Sequence, residues 1–211
     1  MTPVRELDLV LLVPGKDERE TLDAILSRRH LSLGIRRVRY EIFRHPRKDG
    51  GVFSEAVEVL RSLQRRAHHA LAVFDHEGSG QEDRPANEVE ADLRTRLRAS
   101  GWQDRADVLV IQPELEIWVW SDSPQVDAAL GWAGRLPALR SWLRERGCWE
   151  QGLAKPLRPR ECLLAALREA RTQYSSAIFR RLAESVGLER CHDESFRRLK
   201  QLLQSWFPER E

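Results

Sequence analysis

Apolar positions along the chain follow two rhythms. Leu7–Val13 is a near-continuous apolar run, which predicts a strand buried on both faces of a parallel sheet. Pro14-Gly15 breaks it, and Lys16, Asp17, Glu18 and Glu20 open a helix to about Arg29, with Leu22, Ile25 and Leu26 inward. Val38–Phe43 alternates as a second strand. Gly50-Gly51 reads as the end of a loop, and Phe53 to about Arg65 has helical spacing. His69–Phe74 is a third strand, and Glu82–Ser100 a loop leading into a helix that carries Val89, Leu93 and Leu97. Ala106–Ile111 is a fourth strand, stopped by Gln112-Pro113. Beyond Gln125 every pattern is helical: Val126–Trp132, Leu136–Arg146, Glu161–Arg171, Ile178–Val186, and a stretch from Asp193 to Trp206. The expectation is an α/β fold, a mostly parallel four-stranded sheet flanked by helices, with an all-helical C-terminal part. Residues 1–122 would form the α/β core and 123–211 a helical subdomain packed on it.

Composition narrows this picture. In 211 residues, 41% are hydrophobic and 32% charged, which suits a globular chain and excludes a disordered one. No apolar run approaches a membrane span, and Arg5, Glu6 and Asp8 interrupt any signal-peptide core, so a cytoplasmic protein with no membrane partner is expected. Cys148, Cys162 and Cys191 are too widely spaced for a disulfide framework or a Cys-x-x-Cys zinc site, and His192 beside Cys191 reads as structural. Residues 1–132 hold 19 Lys and Arg against 23 Asp and Glu, while 133–211 hold 16 against 10. The halves therefore differ in sign, −4 and +6, within a net +2.

The chemistry gathers where strands end. In Leu71–Gly80, LAVFDHEGSG, an apolar run stops at Asp75 and Glu77, which strand alternation puts on one face, with His76 on the other. Two neighbouring acids at the end of a buried strand repel each other and are costly to desolvate; a divalent cation would give a reason for them. The alternative is a helix cap or a solvated turn. Asp17 and Glu18 are either helix-dipole partners or ligands at the C-terminal edge of the first strand, the edge where open α/β sheets bind ligands. Glu116, within Glu114-Leu-Glu-Ile-Trp-Val-Trp-Ser-Asp122, stays open between a dipole partner and a third ligand. Arg44, Arg47 and Lys48 follow the second strand and would contact phosphate or simply face solvent.

The stretches Val13-Pro-Gly-Lys-Asp-Glu18, Val73-Phe-Asp-His-Glu-Gly78 and Pro113-Glu-Leu-Glu-Ile-Trp118 resemble a Toprim-type domain. The small bacterial Toprim-like proteins of the DUF4276 type look closest, and the tail Ser195-Phe-Arg-Arg-Leu is similar as well. Some members belong to anti-phage islands, including a methylation-associated defence system. The resemblance implies a Mg²⁺ (or Mn²⁺) site held by Asp75, Glu77 and Glu116, with Asp17 or Glu18 as general acid or base and Lys16 neutralising phosphate charge. It implies a nuclease or another phosphodiester-cleaving component. Its partners would be DNA or RNA, other subunits of a multi-gene system, and a second copy of the chain. One departure stands out: Pro14 occupies the position where the family carries its first acid. A catalytically inactive scaffold is therefore the alternative.

Overall fold

The computed structural model describes residues 6–187, 191 and 193–209; His192 lies outside them. Four strands, β1 (Leu7–Val13), β2 (Tyr40–Arg44), β3 (Ala67–Asp75) and β4 (Ala106–Ile111), form one all-parallel sheet in the order β2-β1-β3-β4. β1 and β4 match the expected bounds because both are apolar runs interrupted only by an acid at their second position, and both are largely buried.

Alternation along β1 divides the core. Leu9, Leu11 and Val13 face one apolar layer, and Val10 and Leu12 face the other. The first layer is built by α1 (Lys16–Arg28) and by helices of the C-terminal half. The second is built by α3 (Lys48–Arg61) and α4 (Ala86–Leu97). A one-turn helix, α2 (His30–Leu33), precedes β2. The connection after β1 runs outward to β2, whereas those through α3 and α4 run the opposite way across the sheet. Helices on opposite faces therefore give all three crossovers one hand. The reversal between β1 and β3 opens a crevice at their C-terminal ends.

The C-terminal half contributes α5 (Pro124–Ala129), α6 (Leu139–Glu145), α7 (Pro159–Ala170), α8 (Ser176–Ser185) and α9 (Glu194–Trp206). Their buried residues, such as Leu163, Phe179 and Leu199, belong to the same apolar cluster as Leu11 and Leu71, so one core runs from the sheet into this half. Asp193 caps α9 by accepting from Phe196 N–H. α9 also lies along β4, where Arg198 donates to Val108 O and Glu90 of α4 accepts from Val110 N–H. These side chains occupy the outer backbone groups of that edge strand. Among the described residues no helix is long and apolar enough to cross a membrane.

One boundary moved furthest. α3 begins at Lys48, five residues before the expected start, and takes Gly50-Gly51 into its first turns. The glycines serve close approach and do not end a loop. A Cβ on Gly51 would lie 2.1 Å from His45 Nδ1 and 2.7 Å from Arg47 Cβ, and His45 is buried with Nε2 2.9 Å from Glu55 Oε2. Helical Gly→Ala ordinarily stabilises by about 0.5–1 kcal/mol. Gly51→Ala is expected to do the reverse, lowering stability by about 1–3 kcal/mol through overpacking, as read by urea denaturation.

Candidate functional site

All four strands deliver acids to the C-terminal edge of the sheet. Asp75 is the last residue of β3, opposite Ile111 of β4, and is only 7% exposed. Its N–H donates to Asp49 Oδ1 at 2.9 Å, and its carboxylate accepts from Leu115 N–H. Oδ1 is buried and has no hydrogen-bond partner. Burial, then the charges of Glu18, Asp49 and Glu116, hold this carboxyl well above the ordinary range.

Three further carboxylates surround it. Glu18 comes from the first turn of α1 and is 8% exposed. Burial first, then Asp49 and Asp17, push it up to about 7, with Lys48 opposing. Its Oε2 lies 2.7 Å from where a Cβ on Gly15 would stand, so the glycine makes room for it. Asp49 opens α3 and is raised by burial. Glu116 sits in a single 3₁₀ turn, Leu115–Trp118, and is 3% exposed. Burial and the neighbouring Glu114 push it to about 7, against Arg160. The N-termini of α1 and α3 lie on the same edge, and their positive dipole ends partly offset this crowding.

The C-terminal half closes the site. Trp118 Nε1 donates to Asp193 Oδ1 and Ser195 Oγ, and Trp120 Nε1 to Pro159 O, so the Glu-x-Trp turn is tied to α9 and α7. Glu114 accepts from the backbone N–H of Arg160 at 2.9 Å, and Arg160 Nε stands 3.7 Å from Glu116 Oε1. Tyr174 donates from its hydroxyl to Asp17 Oδ2 at 2.5 Å; burial and this acid raise the phenol strongly.

Of the residues singled out from sequence, Asp75, Glu18 and Glu116 are drawn together, with Asp17 at their margin. Glu77 is not brought in. β3 ends at Asp75, so the strand alternation that would align the pair stops, and Glu77 is exposed. Lys16 is exposed as well. Arg44, Arg47 and Lys48 all face solvent. Arg47 pairs with Glu55, while Lys48 Nζ lies 3.8 Å from the Cβ position on Gly15, close to Glu18. Asp49, Glu114, Arg160 and Tyr174 were missed. Asp49 follows β2 as Glu18 follows β1, and the edge rule applied to every strand would have found it. Arg160 and Tyr174 carry no local signal.

Among the described residues no three His, Cys, Asp or Glu side chains are already grouped to hold a metal ion. The donor set nonetheless has the chemistry of a hard cation: buried carboxylate oxygens that repel one another, one of them unpartnered. No family model, curated protein or solved structure matches the chain. Fold and site alone therefore define its class: a parallel α/β protein with a buried carboxylate cluster at the switch point of the sheet.

Proposed function

We propose that this chain is a Mg²⁺- or Mn²⁺-dependent, Toprim-like phosphodiester-cleaving protein that acts on DNA or RNA within a bacterial anti-phage defence system. The observation that carries the reading is Asp75, a buried carboxylate with an unpartnered oxygen among Glu18, Asp49 and Glu116. Folding alone gives no return for such a group, since an unpaired buried charge is strongly destabilising.

Asp75, Asp49 and Glu116 would hold the ion, with Glu18 beside them. When bound, it supplies a Lewis acid for the phosphate and an acidified water. The protein's own part is positional. Tyr174 fixes Asp17 from across the site. Glu18, pushed to about 7, exchanges a proton near neutrality, as a general acid or base must. Lys48 and Arg160 bring the cationic groups that a phosphate oxygen needs.

A second reading, a non-catalytic scaffold or sensor subunit, is favoured by Arg160. Its guanidinium already faces Glu116 and offsets part of the charge that an ion would take. The test is plasmid nicking and RNA cleavage by the purified chain with MgCl₂ or MnCl₂, against EDTA. Cleavage that needs the ion and disappears in Asp75→Asn is the expected outcome. Calorimetric metal binding without cleavage of either substrate would transfer the assignment to the scaffold.

A further inference from the structure

The molecule is polarised along its strands. Acids gather where the strands end, and arginines gather where they begin. Arg36, Arg37 and Arg39 precede or enter β2. Arg61, Arg65 and Arg66 lie between the end of α3 and the start of β3. Arg98 and Arg105 lead into β4. Some acids near this rim are taken by them: Asp8 pairs with Arg36 and Arg39, Glu41 with Arg66, and Asp104 with Arg98, while Glu6, just before β1, is exposed. Arg105 is engaged too, donating to Ala67 O and His68 O. Arg37, Arg61 and Arg65 are exposed, and among the described residues no acid pairs with them.

We propose that this N-terminal rim of the sheet is a nucleic-acid docking surface, separate from the carboxylate edge, that holds a sugar-phosphate backbone through Arg37, Arg61 and Arg65. The cations belong to two connections, Arg37 before β2 and Arg61 and Arg65 at the end of α3 and before β3, on either side of the start of β1. Strands spaced about 4.8 Å apart put β2 and β3 about 10 Å from one another. One strand of a duplex rises about 3.4 Å per phosphate, so that span covers about three phosphate steps of an extended polyanion, more than one small ligand offers. All three free cations are arginines, whose planar fork suits phosphate oxygens.

β3 has nine residues and ends at Asp75, so about 26 Å separates this rim from that carboxylate. A strand held here is therefore not cut at the same point. The rim would grip a distant segment or a second strand, and it acts whether or not the carboxylate edge is catalytic.

The test is fluorescence anisotropy with a labelled 20-mer duplex and its single strand, in EDTA, over a series of salt concentrations. The full chain should bind with a steep salt dependence. Arg37→Ala/Arg65→Ala should weaken binding at least tenfold and reduce the log–log salt slope by about 2. Arg144→Ala/Arg168→Ala, both exposed on C-terminal helices, should change neither. Circular dichroism melts check that the variants stay folded. The proposal is overturned if the loss follows Lys16→Ala/Arg44→Ala instead, or if the duplex and single strand fail to bind. It is equally overturned if polyglutamate binds this rim and nucleic acid does not.

Discussion

Stripped of divalent ions, Asp75→Asn is expected to melt several degrees above the parent chain. It should also lose the rise in melting temperature that millimolar Mg²⁺ gives the parent. Replacing a buried carboxylate usually destabilises, because a partner is left behind. Here Oδ1 has none, and the charges that raise the carboxyl, those of Glu18, Asp49 and Glu116, all come from acids. Asparagine removes the repulsion and offers an N–H₂ to those acids, while its carbonyl oxygen keeps the bond from Leu115 N–H. Removing an unsatisfied buried polar group contributes about 1–3 kcal/mol, and each kcal/mol moves a chain of this length by about 2–4 °C. A lower melting temperature for the variant, together with a parent indifferent to Mg²⁺, would remove the ground for placing an ion there.

The second large effect is on the pH dependence of stability. Glu18 and Glu116 are each raised from 4.5 to about 7 in the folded chain. As pH rises past 4.5 the unfolded chain releases these protons and the folded chain keeps them until about 7. The folded state then binds more protons, and stability falls across that window. A shift of 2.5 units corresponds to about 3 kcal/mol for each group, reduced where the two share the same neighbours. Asp75 and Asp49 act in the same direction. His69 opposes them. It is stacked on Trp206 with Nδ1 unpartnered, and burial lowers it from 6.5 to about 4. Its contribution is present above 6.5 and is lost as pH falls towards 4. His45, also lowered by burial, adds to that side. In EDTA, urea denaturation should therefore show the parent less stable at pH 7.5 than at pH 5.5. The double variant Glu18→Gln/Glu116→Gln should flatten that fall, because two of the raised acids no longer titrate while Asp75 and Asp49 remain. A parent whose stability climbs through that window would show that these acids are solvated.

Much of the scaffold was legible because burial on both faces leaves a direct trace. Leu7–Val13 and Ala106–Ile111 are apolar runs broken only by Asp8 and Asp107, with Pro or Gly close behind, and both strands have the expected ends. Asp193 with Phe196 carried the start of α9. Gly50-Gly51 misled because a glycine pair signals a turn by its own preferences; its actual constraint is the His45 ring, a long-range contact. Glu77 failed for a related reason: alternation extends only as far as the strand, and β3 stops at Asp75. Arg160 and Tyr174 were beyond reach, since α7 and the turn before α8 meet the acids only once the whole chain is packed.

The two edge strands of the sheet, β2 and β4, differ in one further respect. Along β4, Glu90 and Arg198 already fill the backbone positions that a neighbouring strand would need. Along β2, no described residue does so beyond its ladder with β1. Copies joining by strand addition could thus couple once, β2 to β2, and then stop, since neither outward side of such a couple would accept another. The sheet is terminated like a chain capped at one end, which guards the folded protein against growing into ribbons.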